Sequence, residues 1–482
     1  MDRQIRKLAV VLLVLFFILF VKLNDLQVVR ADKLAAAPGN TRAITHDFSR
    51  ERGRIVTADG AIVAESVPTP DAFERLRRYP EGDLFAQVGG YFSFTYGTEG
   101  AERTYNADLA GRTSGIKKLT DVLSSRVHTG NVTLTLSKHL QQVARDALGT
   151  RKGAVVALNP TDGAVLAMWS FPSFDPNTLA AHDQSAVQAA WKAFQVDAGQ
   201  PLLPRAYRRA YAPGSTFKVV TAATTLEHRP DLATKPYPVL RQLDLPQTTV
   251  NLPNFGNEAC GGTMPDLLRV SCNTGFAQIG LDLGADALAG GAGAFGFNAR
   301  PPLDLPAVAT STFPDAASFK QDLPALAKSA IGQQDVNATP LQMALVAAGV
   351  ANGGVIMAPH VMAEVRDDED QVVKTYKPAP WMTAMQPQNA AALRDMMVNV
   401  VRSGTATRAA VPGVQVAAKT GTAQTVGNNS HAWLIAFAPA EQPRVAVAVI
   451  VESQPGLGDS VTGGRIAAPI AQAVLKAALG TP

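Results

Sequence analysis

The chain begins with a basic flank followed by a long apolar run. The run extends from Leu8 to Val21, and further apolar positions continue it to Val29. As a helix the first stretch would span ~21 Å, short of the ~30 Å hydrocarbon core, whereas the whole of 8–29 is long enough to cross it. We therefore expect a membrane anchor over residues 8–29, with the positively charged residues 1–7 in the cytoplasm and the rest of the chain outside.

A cleaved signal peptide is the alternative interpretation of this segment. Its cleavage site would be Val29-Arg30-Ala31 or Ala35-Ala36-Ala37. Both lie far beyond Val21, and the first contains an arginine, whereas a signal peptide has a short apolar region close to its cleavage site. The pattern favours an uncleaved anchor.

Short strand-like runs separated by polar turns follow the anchor. Residues 52–56 and 61–64 alternate around Asp59-Gly60, which predicts a β-hairpin. Val132 to Leu136 predicts another strand, and Ser137 is a suitable N-cap for the amphipathic helix that follows. These elements predict a β-rich domain over residues 30–150.

The remaining region, residues 151–482, has apolar strand patterns at both of its ends and helical patterns between them. The helical patterns include Phe217 to Leu226 and Leu341 to Ala351. The predicted strands are 154–158, 164–170, 414–418, 432–437 and 445–451. We therefore expect one sheet formed by both ends of this region and packed with helices, an α+β fold.

Composition and charge exclude some classes of function. The net charge of the 482 residues is only +4, without the basic stripe of a nucleic-acid-binding protein. No His/Cys cluster has zinc-ligand spacing, so we expect no metal. Gly291 to Gly296 has the spacing of a dinucleotide-binding loop, but it follows an Ala-rich helical stretch rather than a strand. We expect no cofactor.

A possible nucleophile stands where Pro213-Gly214 interrupts the chain before an apolar helix. Ser215 would lie at the helix N-terminus, where backbone N–H groups favour developing negative charge. Lys218, three residues later on the same helix face, could accept the serine proton if burial lowers its pKa. The same Ser-x-x-Lys spacing at Ser114 to Lys117 has no apolar helix behind it and predicts no catalytic role.

Two further motifs are weak alone and informative in this order. Ser271-Cys272-Asn273 supplies a hydroxyl that can relay a proton and an amide that can bind a peptide. Lys419-Thr420-Gly421-Thr422 directly follows a predicted strand, and its glycine would let a substrate backbone approach. Together with Ser215 and Lys218, these motifs form the set found in penicillin-binding proteins and class A β-lactamases.

The chain resembles a class B penicillin-binding protein over essentially its whole length. Apart from the three motifs, the resemblance rests on the hairpin at 153–163, on segments 331–333, 339–342 and 351–354, and on 52–55 with 59–60. The family often has Asn-Arg-Ala before the nucleophile, where this chain has Pro204-Arg205-Ala206. The resemblance implies a single transmembrane helix, a β-rich pedestal domain and a serine transpeptidase domain, in which helices cover an antiparallel sheet.

The resemblance also implies an activity, cross-linking of peptidoglycan stem peptides through a serine acyl-enzyme, and a role for each motif residue. Ser215 would be the nucleophile, Lys218 its base, and Ser271 with Lys419 the proton relay to the leaving D-alanine. Asn273 would orient the donor peptide. Thr420, Gly421 and Thr422 would bind the substrate, and β-lactams would acylate Ser215.

Partners follow from the same resemblance. The substrates would be stem peptides and lipid-linked precursors. No glycosyltransferase domain fits between anchor and catalytic region, which implies a separate membrane glycosyltransferase, with division or elongation proteins. Three alternatives remain open: a β-lactamase or D,D-carboxypeptidase, a β-lactam sensor, and a non-catalytic division scaffold.

The fate of the acyl-enzyme distinguishes the hydrolases. A class A β-lactamase uses a glutamate to activate the deacylating water. Between Asn273 and Lys419 the chain has only Glu364 and Glu369, in or just before a charged run typical of a solvated turn. The sequence therefore favours acylation without efficient hydrolysis.

The only two cysteines, Cys260 and Cys272, form a candidate disulfide. Gly261-Gly262 and Pro265 would let the chain between them bend back. A bond would brace Ser271 and Asn273, which flank Cys272. The alternative is that Cys272 is a buried free thiol on a helix face.

Overall fold

The structure is a computed structural model that describes residues 2–26, 30, 48–112, 128–424, 430–453 and 462–481. The second Ser-x-x-Lys sequence, Ser114 to Lys117, lies outside these residues. By the density of contacts the chain divides into two units, one formed by 1–51 with 67–76 and the other by 52–66 with 77–482.

The two longest strands, β17 and β18, lie near the end of the chain. In chain order they are β1 (Ile55–Val56), β2 (Ile62–Pro68), β3 (Arg75–Arg78), β4 (Phe92–Ser93), β5 (Gly97–Thr98), β6 (Asn131–Leu134), β7 (Gly153–Leu158), β8 (Val165–Phe171), β9 (Tyr237–Leu240), β10 (Gln242–Asp244), β11 (Asn251–Pro253), β12 (Cys260–Gly262), β13 (Val355–Met357), β14 (Met362–Arg366), β15 (Val372–Thr375), β16 (Pro380–Thr383), β17 (Ala417–Gln424), β18 (Ser430–Ala438) and β19 (Val445–Val451).

Most of the helices lie between β8 and β17. In chain order the α-helices are α1 (Asp2–Asn24), α2 (Ala86–Gly89), α3 (Gly100–Thr104), α4 (Asn106–Leu109), α5 (Lys138–Leu148), α6 (Asn177–Ala180), α7 (Gln184–Val196), α8 (Arg205–Arg208), α9 (Lys218–His228), α10 (Pro230–Thr234), α11 (Met264–Val270), α12 (Asn273–Leu283), α13 (Ala285–Ala294), α14 (Leu323–Ser329), α15 (Pro340–Ala351), α16 (Pro387–Ser403) and α17 (Ala468–Leu479).

The first unit contains the N-terminal apolar helix. Of the helices in the described part of the chain, α1 is the one long and apolar enough to cross a membrane, over Arg3–Asn24. Its apolar side chains are exposed along its length. In the same unit Phe48 packs edge-on against Phe73, with ring centroids 5.8 Å apart.

A six-stranded sheet joins strands from both sides of residue 150. Its order is β15-β14-β6-β1-β2-β3. The hairpin predicted around Asp59-Gly60 is confirmed, because β1 pairs antiparallel with β2. β6 adds parallel to β1, and β14 pairs antiparallel with β6. The charged run begins at Arg366, the last residue of β14, and continues into the turn before β15, as predicted, although Asp367 in this turn is buried rather than solvated.

Arg52, Arg77 and Glu102 form a buried cluster of charged side chains. Glu102 is fully buried and accepts hydrogen bonds from Arg52 Nε at 2.7 Å and from Arg77 Nε at 2.6 Å. Burial alone would raise the pKa of Glu102, but the charges of Arg77 and Arg52 lower it below its usual value. The carboxylate therefore stays ionised and holds two arginines together.

The five-stranded sheet is formed by both ends of the 151–482 region, as the sequence predicted. Its order is β17-β18-β19-β7-β8, and every neighbouring pair is antiparallel. All residues of β7 and β19 are buried. Helix α15 packs on β18, β19 and β7, while α5 and α17 pack on each other and on β8 and β19. Complete burial of the central strands requires both faces to be covered.

The strand predicted at Val414 to Ala418 is placed wrongly. Strand β17 starts at Ala417 and continues to Gln424, so the Lys-Thr-Gly motif lies within the strand rather than after it. The cause is the pairing with β18, which runs unbroken from Ala417 to Gln424. Hydrogen bonds to a neighbouring strand override the poor strand preference of lysine and glycine.

The strand predicted at Val132 to Leu136 is observed as β6, Asn131–Leu134, and the helix cap predicted after it is confirmed. The Ser137 hydroxyl accepts a hydrogen bond from Leu140 N–H and caps α5. The dinucleotide-like glycine sequence lies mostly in α13, without a preceding strand. A Cβ at Gly291 would come within 1.9 Å of Thr224 Oγ1, so this glycine lets α13 approach α9.

Replacing Glu102 tests the buried charge cluster. We expect Glu102→Gln to lower the free energy of unfolding by about 3–5 kcal/mol, because two buried guanidinium groups lose their counter-charge. Chemical denaturation of the full-length chain in detergent measures the change. Asp231→Asn removes an exposed pair with Arg229 and should leave the free energy of unfolding almost unchanged, because water screens exposed charges. Equal effects of the two substitutions would contradict this interpretation.

Candidate active site

Ser215 lies at the start of helix α9, in the position that the sequence predicted. A 3₁₀ turn, Gly214–Phe217, leads directly into α9. Gly214 has φ +53°, and its N–H donates to Gly332 O at 2.9 Å. A Cβ at Gly332 would come within 2.2 Å of Gly214 O, so glycine is required there. These contacts hold the serine, which is partly exposed, at the helix N-terminus.

Lys218 is the buried first residue of α9, and its amine forms hydrogen bonds with the second motif. Its Nζ donates to Ser271 O and to Asn273 Oδ1, both at 2.7 Å. Burial, reinforced by the charge of Lys419, holds the pKa of Lys218 well below its usual value. A neutral amine at this place can accept a proton.

Lys419 approaches the same serine from the sheet. Its Nζ donates to Ser271 Oγ and to Thr420 O, both at 2.8 Å. Burial lowers the pKa of Lys419 to about 7. Ser271 Oγ lies 3.5 Å from Lys218 Nζ. One hydroxyl therefore stands between two amines that can exchange protons through it.

The conformation of Ser271 depends on its position between two helices. It is the C-cap residue of α11, with φ +62° in the left-handed region. Its N–H bonds to Leu268 O, and α12 starts two residues later at Asn273. Asn273 Nδ2 donates to Pro253 O at 3.1 Å, which leaves its Oδ1 facing Lys218.

A disulfide joins Cys272 to Cys260, with their Cα atoms 5.9 Å apart. Cys260 lies in β12, which pairs with β9. The residue between Ser271 and Asn273 is therefore covalently attached to a neighbouring two-stranded sheet. The structure favours the bonded alternative over the free thiol.

The third motif packs closely against the 3₁₀ turn Gly214–Phe217 and the proline before it, and a glycine makes this approach possible. A Cβ at Gly421 would lie 2.9 Å from Thr216 Cγ2 and 3.0 Å from Pro213 O. A Cβ at Gly463 would lie 2.6 Å from Gly421 O. The absence of a side chain at Gly421 thus permits close packing against Pro213 and Thr216, in addition to the substrate approach that the motif predicts.

A cleft of about 760 Å³ opens in front of these residues. Residues from all three motifs line it: Ser215, Ser271, Asn273, Thr420 and Thr422. Arg408 and Arg465 also line it and are exposed, and Thr405 Oγ1 lies 2.6 Å from Thr420 Oγ1. Of the described residues lining the cleft, none is Asp or Glu. The cleft suits an anionic substrate.

Sequence reasoning missed a buried ion pair beneath the nucleophile segment. Arg205, fully buried, donates from Nε to Glu452 Oε1 at 2.9 Å, and Tyr211 OH donates to the same oxygen at 2.7 Å. Trp433 Nε1 donates to Ala212 O at 3.1 Å. The pair links segments far apart in sequence, so no local pattern indicates it.

The side chains of this arrangement can carry out acid–base chemistry. Within the described ranges, no group of three or more His, Cys, Asp or Glu residues is placed to hold a metal ion. The functional groups of the site are a hydroxyl at a helix N-terminus, two amines of lowered pKa, a bridging hydroxyl and an amide. Such a set can form and resolve a serine ester.

Two family domains match this chain. The Penicillin binding protein transpeptidase domain matches residues 153–476, which contain all three motifs. The Penicillin binding protein A dimerisation domain matches residues 52–132.

Relatives match over the full length. The chain is 41% identical to peptidoglycan D,D-transpeptidase PbpA of Mycolicibacterium smegmatis and 38% identical to that of Mycobacterium tuberculosis, covering 99% of both chains in each comparison. The structures of penicillin-binding protein A from M. tuberculosis as ceftriaxone and penicillin G acyl-enzyme complexes give TM-scores of 0.84 and 0.82 at 38% identity. They cover 90% and 89% of this chain and all of theirs. This chain therefore belongs to the penicillin-binding protein A family of D,D-transpeptidases.

Proposed function

We propose that this protein cross-links peptidoglycan as a D,D-transpeptidase, through an acyl-enzyme on Ser215, and that β-lactams acylate the same serine. The observation that carries the proposal is the pair of buried amines, Lys218 and Lys419, on either side of Ser271 Oγ beneath the cleft. The relatives named above support it, since they are D,D-transpeptidases and form acyl-enzymes with β-lactams.

In the first half-reaction Ser215 Oγ attacks the carbonyl between the two terminal D-alanines of a donor stem. Lys218, neutral because burial and Lys419 lower its pKa, takes the hydroxyl proton. The N–H groups of Ser215 and Thr422 stabilise the tetrahedral oxyanion. Collapse of this intermediate forms the serine ester and breaks the peptide bond.

The leaving D-alanine needs a proton on its amine. Ser271, hydrogen-bonded to Lys419 and within 3.5 Å of Lys218, supplies the route for it. Asn273 orients the donor peptide, and Thr420 with Thr422 binds the terminal carboxylate. The exposed cations Arg408 and Arg465 at the cleft favour that anionic end.

An amine of a second stem then attacks the ester, forms the cross-link and regenerates Ser215. Water is a poor competitor, because the described cleft residues offer no carboxylate to activate it. Glu364 lies in β14 and pairs with Arg366 at 2.6 Å, and Glu369 lies in the following turn. This distribution of carboxylates favours a transpeptidase over a hydrolase.

Location and partners complete the proposal. Helix α1 is the membrane anchor, with residues 1–7 in the cytoplasm and the catalytic region outside. The domain limits we propose are 8–29 for the anchor, 30–150 for the pedestal and 151–482 for the transpeptidase domain. A separate membrane glycosyltransferase supplies the glycan strands, alongside division or elongation proteins.

Penicillin should attach covalently to Ser215. A pulse of penicillin on the full-length chain, followed by tryptic mapping, should place the adduct on the peptide that contains Ser215. Ser215→Ala should abolish the adduct, while Ser114→Ala should leave it unchanged. An adduct on the Ser114 peptide would sink the assignment.

The adduct should be long-lived. Because none of the described cleft residues is a carboxylate that could activate water, release of penicillin should take many minutes or longer. The decay of the penicilloyl adduct in intact-protein mass spectra measures the rate. Turnover of penicillin or nitrocefin at several per second would require a β-lactamase instead.

The mature protein should retain its N-terminal helix. Intact-mass measurement of protein extracted from membranes should show a chain that still includes residues 8–29, and salt or alkaline washes should not release it. A mature N-terminus near Ala31 or Ala37 would show that the helix is a cleaved signal.

A further inference from the structure

We propose that Asn254 is a positioning residue for acyl transfer: its side chain fixes the start of α12 and thereby holds Asn273 against Lys218. The inference rests on the proposed function. It concerns a residue outside the three motifs, 19 residues before Asn273 along the chain.

The Asn254 side chain is buried, and both its amide oxygen and its amide nitrogen form hydrogen bonds. Its Oδ1 accepts from the N–H groups of Asn273 and Thr274, both at 2.9 Å. Its Nδ2 donates to Leu240 O at 2.8 Å and to Glu258 O at 3.0 Å. Two N–H groups require an acceptor and two carbonyls require a donor, so only an amide in this orientation satisfies all four.

Helix α12 needs such a residue because its own N-cap residue provides no side-chain acceptor for the first N–H groups of the helix. The first N–H groups of a helix lack partners within it, and a side-chain oxygen of the N-cap residue usually accepts one. Here the N-cap residue is Cys272, which makes no side-chain cap and whose sulfur is bonded to Cys260. Asn254 supplies the missing acceptor from another segment.

The contact continues to the proposed base. Asn273 Oδ1 accepts from Lys218 Nζ at 2.7 Å, and Asn273 Nδ2 donates to Pro253 O at 3.1 Å. Adjacent residues, Pro253 and Asn254, thus hold the side chain and the backbone of Asn273. A shift of Asn273 would move an acceptor of the amine that must face Ser215.

The cleft that Asn254 and Asn273 line also carries the cations Lys328, Arg408 and Arg465. The charge that acts on Lys218 is that of Lys419. Glu258 and Arg241 offer their backbone carbonyls to Asn254, and their side chains are exposed. A charge introduced at the buried position 254 would act on the two buried amines with little screening by water.

Two substitutions at position 254 test the inference, with Asn251→Asp as a matched control on the exposed face of β11. The measurement is the second-order rate of acylation by penicillin, per reactive site, against pH. Asn254→Ala should slow acylation roughly 10- to 100-fold, the scale of a misplaced catalytic group. The acylation rate of this variant should begin to fall at a lower pH than that of the wild type. The reason is that Lys218 loses a firmly held hydrogen-bond acceptor, which favours its charged form.

In Asn254→Asp the acylation rate should instead begin to fall at a higher pH than in the wild type. Its negative charge favours protonated lysine, so the neutral base appears only at higher pH. Asn251→Asp should acylate within about twofold of the wild type with an unshifted profile, since exposed charges are screened.

The outcomes separate this inference from the proposed function. A wild-type chain that penicillin does not acylate would refute the proposed function. If the wild type is acylated, two results for Asn254→Ala would show that the inference is wrong. One is an acylation rate per reactive site equal to that of the wild type, and the other is a slower rate with an unchanged pH profile. In either case Asn254 only stabilises the fold. Because each rate is expressed per penicillin-reactive site, protein that is misfolded and does not react does not affect the comparison.

Discussion

Two lysine amines buried within reach of one hydroxyl are the constraint on which the rest of the structure depends. Burial and the proximity of Lys419 act against the charged form of Lys218, and burial lowers the pKa of Lys419 to about 7. An unfolded lysine stays protonated to much higher pH. The free energy of unfolding therefore decreases as the pH falls from the pKa of lysine in the unfolded chain to about 7. The contribution of Lys419 to this loss is on the order of 4 kcal/mol at neutral pH.

The surrounding fold offsets this cost with apolar burial and close backbone contacts. Strands β7 and β19 are fully buried, and nearly every residue of α15 is buried against them. Glycines at 332, 421 and 463 let the 3₁₀ turn Gly214–Phe217, strand β17 and the helical turn Gly463–Ala467 approach within van der Waals contact. A methyl group at any of these positions would push apart the elements that carry Ser215 and Lys419.

Local patterns predicted the elements and the motif order, but not how distant segments meet. The apolar runs of β7, β8 and β19, the Ser137 cap and the hairpin at Asp59-Gly60 follow from short-range rules. The extent of β17 does not, because its pairing with β18 decides it. The Arg205–Glu452 pair and the hydrogen bonds of Asn254 join segments without periodicity, so only tertiary structure reveals them.

The order of strands in the five-stranded sheet also governs when the molecule can fold. Strand β19 pairs with β7 at the centre of the sheet, joining residues about 300 positions apart. Closing so long a loop costs about 5 kcal/mol of chain entropy beyond a constant, before its contacts compensate. Because β17 and β18 join the sheet through β19, Lys419 cannot take its place beside Ser271 until the last strand has been synthesised. Folding should accordingly be slow and late, and until then the apolar strand β7 needs protection from aggregation.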